Sequence, residues 1–300
     1  MKSNILILFC CFLFLASCQA PSIEEYTLLP HPVDIKYIPG MVKLKTQPTL
    51  VYPGELANEA LLLQCYLSSD FSVQATLKKN KKKGDIILQL DPAVLPEQAE
   101  GYILDATSGN IVLKANSPAG ILNAIQTFRQ VLKVKDGRLI VQKSTLTDYP
   151  VFSWRAFMLD EGRYFKGKEV VFDLLDEMAA LKMNVFHWHL TDDQGWRIEI
   201  KKYPKLTEIG AWRDSSEIDH FGSNRYDGRR HGGFYTQEEI KEVVDYAAKR
   251  NITVIPEIEM PGHASAAIAA YPWLGTSGKQ IKVPGKFGVQ YDIFNVADPR

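Results

Sequence analysis

Residues 184–193, Asn-Val-Phe-His-Trp-His-Leu-Thr-Asp-Asp, decide the fold, because they predict a buried β-strand that ends in two carboxylates. A shorter apolar strand is predicted at residues 155–160, and an amphipathic helix at about residues 168–182 connects the two strands. A second helix is predicted from Thr236, where a capping box begins, and it leads into a third strand at residues 251–258. Strands and helices that alternate at this spacing predict a parallel sheet.

These strands and helices favour a β/α barrel, although the chain has room for only part of one. A complete barrel takes about 250 residues, whereas about 150 residues follow Pro150. We therefore expect residues 148–300 to form the N-terminal part of an incomplete (β/α)8 TIM barrel, or a fold smaller than a barrel. Active sites of such barrels lie at the carboxyl ends of the strands, so polar residues at these ends are the functional candidates.

The region before the barrel predicts a small α+β accessory domain over residues 29–147. A β-hairpin is predicted from two apolar runs at residues 102–104 and 111–113. One of two predicted helices has Ser117 as its N-cap, and the other covers about residues 55–67. We expect a sheet that these helices cover on one side. The expected fold class is α/β, with this small domain in front of the incomplete barrel.

The start of the chain predicts export. Residues 1–17 begin with a positive charge and continue as an apolar run too short to span a membrane, which is typical of a signal peptide. The run ends in Leu15-Ala16-Ser17-Cys18, which resembles a lipobox, so we expect cleavage before Cys18, lipidation of its thiol and a tether over residues 18–28. An ordinary signal peptide that contains cysteines is the alternative. The expected location is the periplasm or outer membrane of a bacterium, with membrane contact only through the lipid anchor.

The charge balance and the cysteines exclude some functions. Lys plus Arg and Asp plus Glu both number 35, so the formal net charge gives no electrostatic case for binding nucleic acid or an acidic membrane surface. Cleavage before Cys18 would leave Cys65 as the one unmodified cysteine, and no intrachain disulfide is expected. Cys65 lies in an apolar helical stretch and is predicted to be a buried core residue. The sequence specifies no oligomeric state.

Polar side chains gather where the three predicted strands end, at residues 160–163, 187–193 and 257–263. Each cluster alone is compatible with an ion pair, a helix cap or a solvated strand edge. Together they place an arginine, several carboxylates and several histidines on one rim. A forked guanidinium suits adjacent sugar hydroxyls, and a histidine backed by a carboxylate can orient an acidic group and tune its pKa. The combination indicates glycosidase-like chemistry.

The histidines also permit a metal site. His187 and His189 are two residues apart, and on a strand this spacing puts both rings on one face. With Asp192 and His263 they could form a zinc site at the rim, as in a metal-dependent hydrolase. The interpretation that we favour is structural: both histidines pack inside the barrel mouth and bond to carboxylates.

A long polar segment, residues 214–233, interrupts the regular pattern. It is rich in Gly, Arg, Asp and His. A segment of this length is usually functional or disordered. We favour a loop over the site, with disorder as the alternative.

Several segments resemble the β-N-acetylhexosaminidases of glycoside hydrolase family 20. The resembling segments are residues 152–155, 160–165, 183–193, 232–236 and 255–263. The most specific of them is the long segment that ends in Asp192 and Asp193. The earlier region is similar to that family's accessory domain, from residue 29 to residue 120. The resemblance therefore covers essentially the whole chain after the signal peptide.

The resemblance implies roles for particular residues. Arg163 is expected to hold the hydroxyls of the terminal, non-reducing sugar. Asp192 and His263 are expected to form a pair that supports the catalytic acid and helps to set its protonation, and Glu259 is an acidic position of the same rim. The family removes terminal β-linked GlcNAc or GalNAc with retention of configuration, and the acetamido oxygen of the substrate attacks the anomeric carbon. N-acetylhexosamine-terminated glycans are the implied partners, with no metal and no cofactor.

The family's catalytic Asp-Glu pair follows a His-x-Gly-Gly stretch, and no such stretch occurs before Arg300. The Asp of this pair orients the acetamido group, and the Glu protonates the leaving oxygen. We therefore expect the 300-residue chain to lack the proton donor and to be inactive by itself. Two alternatives stay open, a metal-dependent hydrolase on a similar barrel and a non-catalytic sugar-binding surface lipoprotein.

Overall fold

The computed structural model describes residues 23–297. The predicted signal peptide and the predicted lipidation site, Cys18, lie outside the described residues. The strands are β1 (Asp34–Lys43), β2 (Thr49–Tyr52), β3 (Thr76–Lys79), β4 (Ile86–Leu90), β5 (Tyr102–Asp105), β6 (Ile111–Ala115), β7 (Lys133–Lys135), β8 (Arg138–Asp148), β9 (Ala156–Asp160), β10 (Val185–His189), β11 (Thr191–Asp192), β12 (Gly195–Trp196), β13 (Trp212–Arg213), β14 (His231–Gly232) and β15 (Thr253–Glu257). The helices are α1 (Ala57–Phe71), α2 (Pro118–Val131), α3 (Lys168–Ala180), α4 (Lys205–Glu208), α5 (Gln237–Ala248) and α6 (Ser265–Ala270).

The first part of the chain forms an eight-stranded mixed sheet in the order β1-β8-β5-β6-β4-β2-β3, with β7 paired to β8. The neighbours from β6 to β3 are parallel, and the others are antiparallel. Helices α1 and α2 pack against each other and against this sheet, and therefore cover the same face. The predicted hairpin is β5–β6, and the Ser117 hydroxyl accepts a hydrogen bond from Gly120 N at 3.1 Å, as its N-cap position requires.

The second part is barrel-like, with β9, β10 and β15 in one parallel sheet in the order β15-β10-β9. Helix α3 joins β9 to β10, and α5 precedes β15, as the alternating pattern predicts. The two helices pack together, and their apolar stripes bury one core against the sheet. Fully buried members of that core are Val171, Leu175, Phe186, Trp188 and Val243. The mixed α/β fold with a partial barrel-like region agrees with the expected fold class.

A buried ionic cluster joins the accessory domain to the barrel region. Lys182, which follows α3, is 7% exposed, and its Nζ lies 2.8 Å from both Asp148 Oδ2 and the Tyr102 hydroxyl. Glu100 of the accessory domain pairs with Arg155 and accepts a hydrogen bond from Asn184. Arg155 and Asn184 directly precede β9 and β10, so the accessory domain contacts the amino ends of these strands. Their carboxyl ends are left free for a site.

Cys65 is exposed, so the prediction of a buried core cysteine was wrong. The helix α1 buries Leu63 and Leu67 on its inner face. Cys65 is two residues from each of them and therefore lies about 200° around the helix, on the outer face. The apolar composition of the stretch indicated the helix but not which face Cys65 occupies. Among residues 23–297, the structure contains no helix with the length and apolar character needed to cross a membrane.

Candidate active site

The carboxyl ends of β9, β10 and β15 bring the three polar clusters together. His189, the last residue of β10, is level with Asp160 on β9 and with Glu257 on β15. Parallel strands in register necessarily place their terminal side chains side by side. The turn after β9 also approaches β11 closely, because a Cβ on Gly162 would lie 3.1 Å from the Cβ of Asp192. Only glycine fits this approach without displacing Asp192.

Arg163 is held by two carboxylates. Its Nη1 donates a hydrogen bond to Asp160 Oδ2 at 2.7 Å, and its backbone N–H donates to Asp160 Oδ1 at 3.0 Å. Its Nη2 lies 2.8 Å from Asp192 Oδ2. The Arg163 side chain is still 45% exposed, whereas that of Asp192 is fully buried. The two carboxylates therefore fix the orientation of the guanidinium, and its exposed side remains open to a ligand.

Asp192 connects this arginine to His263. The other carboxylate oxygen, Asp192 Oδ1, lies 3.0 Å from His263 Nδ1. Burial raises the pKa of Asp192, and the charges of Arg163 and His263 partly oppose that rise. His263 is partly exposed, and its backbone has a φ of +50°, in the left-handed region. The two predicted supporting residues are therefore brought into contact.

His189 and His187 both lie against carboxylates. His189 is buried and its Nδ1 is 3.2 Å from Asp160 Oδ1, while His187 Nε2 is 2.6 Å from Glu257 Oε2. Burial would lower the pKa of His189, but contact with Asp160 outweighs it and the pKa is raised. Burial would raise the pKa of Asp160, but hydrogen bonds with His189 and Arg163 lower it well below its usual range. This geometry fits the structural interpretation of the two histidines.

Glu259 lies on the same rim, after β15. Its backbone N–H donates to Thr191 Oγ1 at 2.9 Å, and its Oε1 is 3.7 Å from His189 Nε2. Burial and a hydrogen bond with Glu257 raise the pKa of the Glu259 carboxyl. Glu259 therefore lies in a different environment from Asp192, which faces Arg163 and His263.

Two groups of side chains could in principle hold a metal ion, because three potential ligand atoms in each lie within 4.8 Å of one another. The groups are His189 with Glu257 and Glu259, and His263 with Asp192 and Asp193. In the second group the Arg163 guanidinium already lies 2.8 Å from an Asp192 oxygen. A second cation at that oxygen would be repelled. In this second group the charge arrangement therefore favours a hydrogen-bonded cluster over a metal centre.

Buried residues that the sequence reasoning missed support the turn that carries Arg163. Arg197 is fully buried and donates to the carbonyl oxygens of Glu161 at 2.9 Å and Gly162 at 3.1 Å. Burial lowers the pKa of Arg197 to about 9. Glu161 is also fully buried and accepts hydrogen bonds from the Tyr235 hydroxyl and from Lys166 N. The sequence signal that could have revealed this burial is that Arg197 lies between two apolar residues, Trp196 and Ile198.

The polar segment 214–233 is folded beside the site. Its last residues form β14, which pairs with β13. His231 in β14 accepts a hydrogen bond from Phe165 N at 3.1 Å and stacks on Tyr164 with ring centroids 3.9 Å apart. Arg213 in β13 donates to the backbone oxygen of Arg163 at 2.9 Å. The segment thus supports the Arg163 turn from one side, and its predicted position over the site stays a prediction.

Comparison with known proteins agrees with this geometry. Residues 152–300 match the pattern of the glycosyl hydrolase family 20 catalytic domain, and residues 25–149 match that of glycosyl hydrolase family 20, domain 2. A β-hexosaminidase from Porphyromonas gingivalis is 37% identical over 303 aligned residues, which cover 95% of this chain and 38% of that protein. A β-hexosaminidase from Vibrio furnissii is 45% identical over 218 residues, covering 72% of this chain and 34% of that protein.

A solved structure with the same fold is the GH20 exo β-N-acetylglucosaminidase from Vibrio harveyi in complex with N-acetylglucosamine. It is 33% identical, with a TM-score of 0.78 over 91% of this chain and 42% of that chain. The chain belongs to glycoside hydrolase family 20. It spans between about a third and two fifths of the length of the curated relatives just described.

Proposed function

We propose that this polypeptide is part of an exo-acting β-N-acetylhexosaminidase that removes terminal β-linked GlcNAc or GalNAc from glycans. The observation that carries the proposal is the chain of contacts from Arg163 through Asp192 to His263 at the carboxyl ends of parallel strands. Two relatives carry the name β-hexosaminidase, and the Vibrio harveyi relative binds N-acetylglucosamine. Family membership and site geometry therefore support the same reaction.

In this proposal each residue has a defined task. The exposed face of the Arg163 guanidinium donates to hydroxyls of the non-reducing sugar, because its planar fork matches two adjacent oxygens. His263, held by Asp192, supports the acid that protonates the leaving oxygen. The acetamido oxygen of the substrate forms the bond to the anomeric carbon as the glycosidic bond breaks, so no enzyme nucleophile is required. Water later attacks the same carbon, and the β-configuration is retained.

The proton donor and its partner Asp come, in this proposal, from polypeptide beyond Arg300. The length of the relatives supports this view, because the chain spans 38% and 34% of them. The apolar side chains of Phe157 and Met158 on β9 are nearly half exposed, which suits a strand that further polypeptide covers. The 300-residue chain by itself is then expected to have no hydrolytic activity.

The test is an assay of two proteins on chromogenic β-N-acetylglucosaminide and β-N-acetylgalactosaminide. One is the 300-residue chain, and the other is the product of the gene read past Arg300. Cleavage by the longer product alone supports the proposal. A longer product that is inert on both substrates would overturn it and favour a sugar-binding protein without catalysis. A chelator is expected to leave the rate unchanged, and a loss that zinc restores would favour the metal-dependent alternative.

We also propose that the protein is an exported lipoprotein anchored through Cys18. The support is the lipobox-like sequence that ends at this cysteine. Mass spectrometry of the N-terminal peptide is expected to show acyl chains on Cys18, and the variant Cys18→Ser is expected to leave the membrane fraction. An unmodified Cys18, or a mature terminus at another residue, would contradict the proposal.

A further inference from the structure

Asp193 is a buried carboxylate beside the site to which the proposed reaction assigns no task. Its Oδ1 accepts hydrogen bonds from the backbone N–H and the hydroxyl of Ser265, at 3.0 Å and 2.7 Å. Its Oδ2 lies 3.2 Å from Nδ1 of His263. Ser265 is the first residue of α6, so Asp193 ties the end of the β10–β11 segment both to this helix and to the imidazole. Each carboxylate oxygen therefore has a defined partner.

The His263 ring is positioned by contacts of its Nδ1 with carboxylates. The residue lies between a Pro-Gly turn and α6, and its φ of +50° is uncommon for a residue other than glycine. Its Nδ1 faces two carboxylates at once, Asp192 Oδ1 at 3.0 Å and Asp193 Oδ2 at 3.2 Å. Ionised carboxylates only accept hydrogen bonds, so Nδ1 must carry the proton. In the neutral ring Nε2 is then the nitrogen with a free lone pair.

We propose that Asp193 is a positioning residue, which orients the His263 ring and keeps its proton on Nδ1, so that Nε2 serves the catalytic acid. The inference rests on the proposed function for its effect on rate. The two aspartates have different partners, because Asp192 also contacts Arg163 at 2.8 Å. The Asp193 carboxylate instead accepts hydrogen bonds from Ser265 and so anchors the ring to α6. Asp193 thus acts on the reaction through His263 and touches no substrate.

The first test is Asp193→Asn in the product of the complete gene, labelled with 15N at histidine. The resonances of His263 are identified by their loss in His263→Gln. The wild type is expected to show the chemical shifts of an Nδ1-protonated ring. An asparagine amide can turn its NH2 group toward Nδ1 and favour the other tautomer, so the 15N shifts are expected to move toward Nε2 protonation. The same change beside a serine-protease histidine lowers kcat by about 10⁴-fold.

A smaller effect is expected here, because Asp192 Oδ1, 3.0 Å from Nδ1, still faces the ring in Asp193→Asn. We expect kcat on GlcNAc substrates to fall about 10- to 100-fold, which is less than the loss of about 10⁴-fold in the serine protease. KM is expected to change little, because Arg163 keeps both of its carboxylates. A second variant, Ser265→Ala, removes only the hydroxyl contact to Asp193. It is expected to shift the same 15N resonances in the same direction by a smaller amount, and it decides the question if Asp193→Asn does not fold.

The matched control is Asp148→Asn, which removes a buried carboxylate from Lys182 in the domain junction. It is expected to lower thermal stability but to leave the His263 tautomer and the kcat of the folded protein unchanged. Asp193→Asn with wild-type 15N shifts and wild-type kcat would overturn the inference. If the wild type cleaves no GlcNAc or GalNAc substrate, the proposed function fails, but the 15N shifts still show whether Asp193 controls the tautomer.

Discussion

Asp192 lies between a guanidinium and an imidazole, and one of its oxygens contacts each of them. One buried carboxylate therefore joins the group expected to hold the sugar to the group expected to support the acid. The adjacent Asp193 instead binds Ser265 and the same imidazole. Two identical neighbouring residues thus have different surroundings, which is how a site assigns different tasks to chemically identical groups.

Arg163→Lys tests the forked contact. Lysine keeps the positive charge but not the planar pair of donors, so one charged hydrogen bond to the sugar is expected to be lost. In the product of the complete gene, kcat/KM on a chromogenic GlcNAc substrate is expected to fall about 10- to 100-fold. Arg129→Lys, at an arginine that pairs with Asp70 in the accessory domain, is the control and is expected to keep wild-type kcat/KM. Equal values for both variants would contradict the role of Arg163.

His189→Gln tests the charge state of the His189–Asp160 pair. The pKa of folded His189 is raised, above the unfolded value of about 6.5. Its stabilisation is therefore fully present below the unfolded pKa and is lost as the pH rises through the folded pKa. The difference in unfolding free energy between wild type and His189→Gln is expected to be largest near pH 5 and to shrink toward pH 9. Urea titrations at several pH values measure it, and a difference that grows with pH would contradict the assignment.

Helices with clear end signals were predicted well, because their caps are local interactions. The helix α5 has a complete capping box, in which the side chains of Thr236 and Glu239 each accept a hydrogen bond from the backbone N–H of the other residue. The helix α2 has the predicted Ser117 cap. The short strands β13 and β14 were not predicted as strands, since they pair across 17 intervening residues that carry no alternating apolar pattern. Their pairing is a tertiary contact.

Thr236→Ala tests the contribution of the cap on α5. The variant loses the hydrogen bond from Glu239 N to the Thr236 hydroxyl, which measures 3.1 Å. The free energy of unfolding is expected to fall by about 1 kcal/mol. Urea unfolding followed by circular dichroism measures the change. Replacing the exposed Thr46 by alanine is the control, and a loss of equal size there would show that the cap is not the cause.

At the scale of the whole molecule, the accessory domain and the barrel region meet around buried charges. Lys182, Asp148 and Tyr102 form a cluster at the amino ends of the barrel strands, opposite the site. Burial lowers the pKa of Lys182, and Asp148 opposes that shift. The junction leaves the carboxyl ends of β9, β10 and β15 free, so the accessory domain supports the barrel region without covering the site.

Lys182→Met tests this junction. Removing one partner leaves Asp148 buried without its cation, which typically costs about 3–5 kcal/mol. The free energy of unfolding is expected to drop by this amount, and the midpoint of urea unfolding measures it. The control is Lys282→Met, since Lys282 forms an ion pair with Asp214 that is largely exposed. A similar small effect for both variants would show that the cluster does not hold the two parts together.

The sequence by itself determined the alternation of β9, α3, β10, α5 and β15, the α/β class and the strand ends that carry Arg163, Asp192 and His263, because periodicity, caps and strand-end polarity are local signals. It also supported the family resemblance. Only the tertiary structure decided that Asp192 contacts both Arg163 and His263, that Cys65 faces outward and that Arg197 is buried beneath the site. These features depend on which faces of distant segments meet. Packing energy selects those faces over the whole molecule, and no local stretch of sequence encodes the choice.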